Sequence, residues 1–146
     1  IKAVAGMKAS GMPCIADDSG LEVLALDCRP GVMSARYSGS HGDDAANNEK
    51  MLAELADKPD RSARYVCVIC MAFPDGRELE ARGECYGEIL KEKRGNGGFG
   101  YDPLFYFPQF GKTFAEISAE EKNEVSHRNA ALKAFEKLWE KEINDK

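Results

Sequence analysis

Apolar and polar positions alternate in the middle of the chain and recur at helical spacing towards both ends. The segment "RSARYVCVICMAF" at 61–73 alternates well enough to predict a central strand. The turn sequence "PDG" at 74–76 predicts a hairpin into "RELEARGECYGEIL" at 77–90. Closer to the N-terminus, "CIA" at 14–16 predicts a short buried strand ahead of two adjacent aspartates. The pattern therefore predicts strands combined with helices.

The first two predicted helices are defined by their end signals. The opening "IKAVAGMKASG" is interpreted as a helix that ends at Gly11, and Pro13 lies beyond it as a stop signal. Asp43 or Asp44 could cap a second helix that runs to about Ala56. Three apolar residues recur on one side of that segment and predict its buried face: Met51, Leu52 and Leu55.

The C-terminal region predicts one long helix or two shorter ones. The sequence "SAEE" at 118–121 matches a capping box. In a single uninterrupted helix, Lys122 and Arg128 would lie on different faces. If Ser126 instead caps a new helix, His127 and Arg128 lie in its first turn, where free N–H groups favour anions. An apolar stripe typical of packing follows at helical spacing: Val125, Leu132, Phe135, Trp139 and Ile143.

Length and composition are those of a folded globular protein. The chain has 146 residues, of which 43% are hydrophobic and 31% charged. This is enough for one domain with a sizeable core, which we assign to residues 1–146. The net charge of −5 disfavours a nucleic-acid-binding protein, which needs a broad basic face. The apolar stretches are too short to cross a bilayer, and nothing in the sequence argues for secretion. We therefore expect no nucleic-acid or membrane partner.

Cysteine usage indicates a reducing compartment. Cys67 and Cys70 have the spacing of a zinc half-site, but no second Cys or His pair completes it. We therefore expect buried, reduced thiols in a cytoplasmic protein. The total is an odd number, which argues against a disulfide framework: Cys14, Cys28, Cys67, Cys70 and Cys85.

The sequence "ADDSG" at 16–20 places two carboxylates side by side. One interpretation is a turn, because Asp, Ser and Gly are ordinary turn residues. The alternative is a magnesium site with a general base, since Mg²⁺ prefers hard oxygen ligands and is usually held by one or two carboxylates plus substrate phosphates. If the strand continues through the pair, Asp17 and Asp18 point to opposite sides, and only one faces a given cleft. Ser19 could donate to a phosphate oxygen, and Gly20 would let the backbone approach a ligand.

The sequence "RGNGGFGYDP" at 94–103 surrounds one Phe and one Tyr with four glycines. Such a loop loses much conformational entropy on ordering and is often shaped to bring backbone groups close to a ligand. Phe99 and Tyr101 could offer flat faces to a heteroaromatic base. Asp102, held extended before Pro103, could hydrogen-bond to a sugar or base. The alternative interpretation is a tight bend between strands, and the loop is not a Walker motif.

The sequence "EEKNEVSHRN" at 120–129 supplies two cations, Lys122 and Arg128, with His127 between them. A solvated charged face is one interpretation, and a phosphate-binding cluster is the other. Lys112 is a weaker phosphate candidate, and His41 is interpreted as a loop histidine. Because no nucleophile elbow is present, the three motifs fit metal-assisted attack on a nucleotide phosphate better than covalent catalysis.

Four motifs together resemble those of the Ham1/inosine triphosphate pyrophosphatase family, the non-canonical purine NTP pyrophosphatases. They are "ADDSGLEV" at 16–23, "PGVMSARYSG" at 30–39, "GGFGYDPLFYFP" at 97–108 and "GKTFAEISAEEKNEVSHR" at 111–128, and they span nearly the whole chain. The resemblance implies an α/β fold with a long, twisted, mixed β-sheet flanked by helices and a nucleotide in a central cleft. It also implies a homodimer.

The resemblance implies roles for individual residues. Asp18 matches the catalytic carboxylate, which serves as base for water and as a magnesium ligand, and Ser19 matches a substrate-binding serine. The implied reaction is NTP + H₂O → NMP + pyrophosphate on ITP, dITP and XTP, with Mg²⁺ as cofactor. The other implied substrate contacts are the purine-cradling stretch Phe99, Gly100, Tyr101 and Asp102, together with Lys122, His127 and Arg128.

The chain departs from the family pattern at its start. Family members begin with a strand and a glycine-containing loop carrying a Ser/Thr-x-Asn…Lys triphosphate motif, and with an acidic residue ahead of the first helix. This sequence shows neither. We therefore expect a domain that lacks the phosphate-binding loop, and a catalytically impaired nucleotide-binding remnant is the alternative function. A Maf-like pyrophosphatase for pyrimidine nucleotides is a further alternative, which "GGFGYDP" and "SHR" disfavour.

Overall fold

The computed structural model of the protein describes residues 2–31, 33–39 and 42–144. Within these residues the helices are α1 (Lys2–Ser10), α2 (Asp44–Glu54), α3 (Ala119–Val125) and α4 (His127–Asn144). The strands are β1 (Cys14–Val23), β2 (Arg29–Gly31), β3 (Ser62–Ala72), β4 (Glu78–Ile89), β5 (Phe105–Phe107) and β6 (Lys112–Thr113). Two short 3₁₀ turns, Leu24–Leu26 and Ser34–Arg36, lie on either side of β2.

The six strands form one sheet in the order β2-β1-β3-β4-β5-β6. The long strands β3 and β4 are joined by the predicted hairpin, with Ala72 opposite Glu78. The predicted α/β fold is confirmed. The resemblance implies a mixed sheet, whereas all pairs among the described strands are antiparallel. Most of these pairs join strands that follow each other in the chain, and such strands reverse direction at each short connection.

Strand β1 is longer than predicted, and its first half is only partly buried. The strand runs through the acid pair, so the aspartates lie within it. Ile15 is 57% exposed, and full burial begins only at Leu21. The reason is that β2 pairs only with residues 21–23, which leaves 14–20 as a sheet edge among the described strands. The prediction of a buried strand ahead of the acid pair is therefore wrong, as is the turn interpretation of the pair itself.

The apolar side chains form two clusters. The smaller one seats α4 on the sheet through Ala131 and Phe135. The larger one joins the second half of β1 to α2 and to the aromatic strand β5, and its fully buried members include Leu21, Met51 and Phe105. These contacts hold α2, α4 and the segment around β5 in fixed positions relative to β1 and β3.

Helix α4 touches the sheet backbone at Gly83 of β4. A Cβ atom at this position would lie 2.2 Å from the backbone nitrogen of Ala131 and 2.3 Å from the carbonyl oxygen of His127. Only a residue without a side chain leaves room for the helix there. The first turn of α4, which begins at His127, is therefore seated directly on the strand.

The predicted helix starts are confirmed. Asp43 caps α2, and its side chain accepts a hydrogen bond from the Ala46 N–H group at 3.1 Å. The capping box at 118–121 opens α3. The Ser126 hydroxyl accepts a hydrogen bond from the Asn129 N–H group at 3.1 Å, so α4 is a separate helix and the uninterrupted helix is wrong.

The apolar stripe of the C-terminal region is packed only in part. Phe135 is buried, whereas Leu132 is 45% and Trp139 37% exposed. The Trp139 ring stacks on Phe73 with a centroid distance of 6.5 Å, so it covers the end of β3 rather than entering the core. The side chain of Ile143 lies outside the described part of the chain.

The five cysteines are free. Only Cys67 and Cys85 are buried and the others are half-buried, so the prediction of buried thiols holds for two of them. His41 lies outside the described residues. No helix in residues 2–31, 33–39 and 42–144 is both long enough and apolar enough to span a bilayer.

We expect Gly83→Ala to lower the free energy of unfolding by about 1–3 kcal/mol, because the added methyl group must displace α4 from β4. Urea unfolding followed by circular dichroism measures the loss. Arg82→Ala is the matched control: Arg82 lies on the opposite face of β4 with its side chain 46% exposed, and its loss should cost less than about 1 kcal/mol. Unchanged stability in Gly83→Ala would contradict the close contact.

Candidate active site

A cavity of about 600 Å³ lies where β1 and β3 meet the loop before β5 and the first turns of α3 and α4. We call it the central cavity. Neither Asp18 nor Lys112 belongs to its lining. Residues from three sequence motifs meet around this cavity: "ADDSG" at 16–20, "RGNGGFGYDP" at 94–103 and "EEKNEVSHRN" at 120–129. Eight of the nine predicted site residues line the cavity: Ser19, Phe99, Gly100, Tyr101, Asp102, Lys122, His127 and Arg128.

The Asp102 carboxylate joins three parts of the cavity wall. It is 2% exposed, and its Oδ1 atom accepts a hydrogen bond from the Tyr65 hydroxyl at 3.0 Å. Its Oδ2 atom accepts one from the Phe99 N–H group at 3.0 Å and one from the Lys122 ammonium group at 2.5 Å. Both oxygens are therefore bonded within the protein. The sequence suggested that Asp102 bonds directly to a sugar or base. In the structure it instead positions Phe99 and Lys122.

Phe99 and Tyr101 differ sharply in exposure. Phe99 is 71% exposed, and the Lys122 Nζ atom lies 4.4 Å from its ring centroid. Tyr101 is only 5% exposed, and its hydroxyl donates to the Ser34 carbonyl oxygen at 2.6 Å. Burial of the hydroxyl group, and to a smaller extent the negative charge of Asp44, raise the pKa of Tyr101 well above its usual value. Phe99 therefore offers an exposed aromatic ring with the Lys122 ammonium over one face, and the prediction that Tyr101 offers an exposed face is wrong.

Two glycines near the cavity make room for neighbouring parts of the protein. A Cβ atom at Gly20 would lie 2.3 Å from the carbonyl oxygen of Gly31, so the residue permits close pairing of β1 with β2. A Cβ atom at Gly98, whose φ is +69°, would lie 2.3 Å from the Asp102 Oδ2 atom. Gly20 thus permits the pairing of β1 with β2, and it also lines the central cavity, so the suggested approach of the backbone to a ligand there stays a prediction.

His127 contributes a neutral imidazole to the cavity. Its ring stacks on Tyr65 with a centroid distance of 4.9 Å and an interplanar angle of 18°. Its Nδ1 atom is buried and has no hydrogen-bond partner among the described residues. Burial lowers the pKa of His127 to about 4, and the positive charges of Arg128 and Lys122 act in the same direction. The ring is therefore uncharged at neutral pH.

Both cations of the cavity wall have a carboxylate partner. Lys122 pairs with the buried Asp102, as described above. Arg128 reaches Asp17 across the cavity rim, with 3.2 Å between the guanidinium nitrogen and the Oδ2 atom. Their side chains are 55% and 50% exposed, so this second pair lies in contact with solvent. An anion that enters the cavity must compete with these two carboxylates.

Asp18 lies on the opposite face of β1 from the central cavity. Its side chain is 62% exposed and lies 3.9 Å from the Lys2 Nζ atom. It lines a second cavity of about 590 Å³, and both cavities include Ser19 and Gly20 in their walls. Because these two residues belong to the sheet edge, the two cavities adjoin there. The predicted opposite orientation of Asp17 and Asp18 agrees with their separate ion pairs.

The residues near Asp18 can supply only part of a metal's coordination shell. No group of three His, Cys, Asp or Glu side chains in the described ranges is arranged to hold a metal ion. Asp18 itself offers an exposed hard oxygen ligand. This donor set fits Mg²⁺ that takes its other ligands from water and substrate phosphates, and it does not fit a metal held by protein side chains alone.

Sequence reasoning missed the residues that hold the cavity together. Tyr65 bonds to Asp102, and the Ser34 hydroxyl accepts a hydrogen bond from the Leu21 N–H group at 2.8 Å while it donates to the Gly31 carbonyl oxygen. The strand register places Tyr65 opposite Leu21. A correct prediction of how β1 pairs with β3 would therefore have placed Tyr65 near the cavity. Ser34 lies within the motif at 30–39, but the motif does not indicate its hydrogen bond to β1, which depends on tertiary contacts.

The chain belongs to the Ham1 family, whose family model matches residues 1–138. A relative from Desulfotalea psychrophila, named dITP/XTP pyrophosphatase, is 61% identical over 131 residues, which are 90% of this chain and 59% of that protein. A relative of the same name from Staphylococcus aureus is 46% identical over 144 residues, which are 99% of this chain and 74% of that protein. The chain thus spans less than two thirds of the first of these relatives.

Solved structures show the same relationship. The chain superposes on the Ham1 protein of Staphylococcus aureus with a TM-score of 0.92 and 47% identity, over 97% of this chain and 73% of that one. The HAM1 protein of Coxiella burnetii gives a TM-score of 0.90 at 43% identity, over 96% of this chain and 73% of that one. The predicted family and its α/β fold are confirmed.

We expect Asp102→Ala to lower the free energy of unfolding by about 3–5 kcal/mol, because it leaves the Lys122 ammonium, the Tyr65 hydroxyl and the Phe99 N–H group without their acceptor. Urea unfolding measures the loss. Asp102→Asn keeps the side-chain volume and one acceptor oxygen, so its loss should be clearly smaller. Similar stability of Asp102→Ala and the unsubstituted chain would contradict this role.

We expect His127 to make stability depend on pH between about 6.5 and 4. The unfolded chain takes up a proton near pH 6.5, whereas the folded chain does so only near its lowered pKa of about 4. The stability that the neutral His127 ring contributes is therefore fully present above pH 6.5. It decreases by up to about 3 kcal/mol as the pH falls from 6.5 to about 4. Urea midpoints from pH 4 to 7 should fall less steeply in His127→Gln. Parallel decreases in both proteins would exclude His127 as the cause.

Proposed function

We propose that the chain carries the nucleotide-binding and hydrolytic site of a Mg²⁺-dependent nucleoside triphosphate pyrophosphatase. Its substrates would be ITP, dITP and XTP, and its products the monophosphate and pyrophosphate. The main observation in favour is the central cavity, which combines an exposed aromatic face, a neutral histidine and two cations next to an exposed carboxylate. The name shared by the relatives supports the same reaction. We assign residues 1–146 to a single domain of this class.

The base would bind at the aromatic end of the cavity. Phe99 is the exposed ring on which a purine can stack, and stacking of this kind contributes about 1–3 kcal/mol per base. Neutral His127 and the Lys122 ammonium supply groups that can hydrogen-bond to a 6-oxo purine. Adenine presents a 6-amino donor instead, which would leave a buried donor of the site unpaired. This mismatch is the proposed basis of selectivity against adenine nucleotides.

The phosphates would extend from the cavity towards the sheet edge. Arg128 and Ser19 lie in the wall on that side and can bind phosphate oxygens. Asp18 lies just beyond, where its carboxylate would orient a water molecule for in-line attack on the α-phosphorus and accept its proton. The new bond joins the water oxygen to the α-phosphorus. The bond from that phosphorus to the oxygen bridging to the β-phosphate breaks, and pyrophosphate leaves.

Asp18 is the residue that would hold Mg²⁺, together with oxygens of the substrate. When bound, the ion would neutralise the triphosphate and stabilise charge on the leaving pyrophosphate. We further propose a homodimer in the cytoplasm, for which the family resemblance and the reduced cysteines are the support. The chain spans 59% of the length of the Desulfotalea psychrophila relative. The alternative function is a catalytically impaired, nucleotide-binding remnant.

We expect release of pyrophosphate from ITP and XTP in the presence of Mg²⁺, with much slower release from ATP, whose 6-amino group mismatches the site. GTP is assayed beside them, because guanine shares the 6-oxo group. The Desulfotalea psychrophila relative assayed in parallel is the positive control. Binding of IMP measured by calorimetry separates the two candidate functions, because binding without turnover would support the remnant. Absence of both binding and turnover would overturn the proposed function. A strong preference for a modified pyrimidine triphosphate would overturn the purine assignment.

We expect Asp18→Asn to reduce turnover of ITP by at least about 100-fold, because the amide cannot accept the proton of the attacking water. The fold should remain intact, since the side chain is 62% exposed, and circular dichroism with urea unfolding checks this. Asp17→Asn is the matched control, because it neutralises the neighbouring carboxylate on the other face of β1 and should act mainly on KM through Arg128. Turnover near that of the unsubstituted chain in Asp18→Asn would remove Asp18 from the mechanism.

A further inference from the structure

Helix α2 holds both backbone polar groups of Gly100. The Asp44 Oδ2 atom accepts a hydrogen bond from the Gly100 N–H group at 3.0 Å. The Asn48 Nδ2 atom donates to the Gly100 carbonyl oxygen at 3.1 Å. Residues four positions apart lie on the same face of a helix, so Asp44 and Asn48 act on Gly100 from one side. We call these two hydrogen bonds the Gly100 clamp.

The helix that carries the clamp is itself firmly held. Asn48 is 3% and Asn47 2% exposed. The Asn47 side chain accepts a hydrogen bond from the Ser38 N–H group at 2.8 Å and donates to the Ala35 carbonyl oxygen at 3.1 Å. One turn further on, Met51 is fully buried in the larger apolar cluster. The clamp therefore connects Gly100 to the core.

Gly100 lies at the point where the loop reverses its orientation. Its φ of +60° belongs to the left-handed region that favours glycine. On one side of it Phe99 is 71% exposed, and on the other side Tyr101 is 5% exposed. Because Tyr101 and Asp102 are anchored in the core, fixing Gly100 determines where the exposed Phe99 ring stands.

We propose that Asp44 and Asn48 are positioning residues for the base of the nucleotide, and that they act by holding Gly100 and thereby Phe99 in a preformed stacking position. This inference rests on the proposed function. Asp44 also belongs to the cavity lining, whereas Asn48 does not. A preformed platform lowers the entropic cost of binding and acts equally on substrate and transition state. The clamp should therefore affect KM and leave kcat nearly unchanged.

The decisive variants are Asp44→Ala, Asp44→Asn and Asp43→Ala, assayed for turnover of ITP. Asp44→Ala removes the acceptor of the Gly100 N–H group, and we expect KM to rise roughly fivefold or more with kcat within about twofold. Asp44→Asn keeps an acceptor oxygen and should restore most of the KM. Asp43→Ala is the matched control, because it removes the N-cap of the same helix but has no hydrogen bond to Gly100. Its stability should fall while its KM stays unchanged.

Amide hydrogen exchange followed by NMR gives a readout that does not depend on activity. In Asp44→Ala the Gly100 amide should exchange at least about tenfold faster than in the unsubstituted chain, and in Asp43→Ala it should not. An unchanged exchange rate in Asp44→Ala would overturn the clamp, as would an equal rise of KM in Asp43→Ala.

The failure of the clamp can be told apart from the failure of the proposed function. Absence of ITP turnover and IMP binding in the unsubstituted chain would overturn the proposed function and the purine role of the clamp together. Normal turnover with an unchanged KM in Asp44→Ala would overturn the positioning role alone.

Discussion

The buried carboxylate of Asp102 is the interaction on which the central cavity depends. A charge this deeply buried is tolerated only when it is paired and hydrogen-bonded, and here its partners come from three separate segments. Tyr65 belongs to the sheet, Phe99 to the glycine-rich loop and Lys122 to α3. Satisfying one buried charge thus fixes the relative positions of these segments. The cavity exists because they meet at this point.

The surrounding contacts limit how far the cavity wall can move. The first turn of α4 rests directly on the backbone of β4 at Gly83. This backbone contact fixes the position of His127 relative to the sheet. On the opposite wall, Gly100 is tied to α2 through both of its backbone groups. The site is therefore largely preformed, and this suits a reaction whose catalysis consists mainly of positioning and electrostatic stabilisation.

The sequence was sufficient to predict the elements whose signals are local. The β3–β4 hairpin follows from alternation and a turn, and the separate start of α4 follows from Ser126 as a cap. Exposure was harder to predict, because it depends on which strands lie next to each other. Ile15 is apolar but lies at an edge that β2 does not reach. Tyr101 lies in a loop but is buried in the larger apolar cluster, where its hydroxyl donates to Ser34.

The candidate residues were identified by their motifs, but several of their contacts were not. Eight of the nine line one cavity, as the grouping of motifs suggested. That Asp102 would bond within the protein, and that Asp18 would lie beyond a sheet edge, could not be deduced from spacing. The bonds of Asp102 depend on how its loop and α3 meet β3, and the position of Asp18 depends on which part of β1 pairs with β2. No local pattern specifies either contact. The hydrogen bonds from Asp44 and Asn48 of α2 to Gly100 likewise depend on tertiary packing.

The ion pair between Arg128 and Asp17 has a consequence for the end of the proposed catalytic cycle. Because the pair is exposed and lies at the rim, a triphosphate with its larger negative charge can displace Asp17 from Arg128. After pyrophosphate departs, the nucleoside monophosphate carries less charge and competes less well with the same carboxylate. In the proposed reaction, re-formation of the pair therefore favours product release, and Asp17 serves as an internal competitor that empties the site for the next turnover.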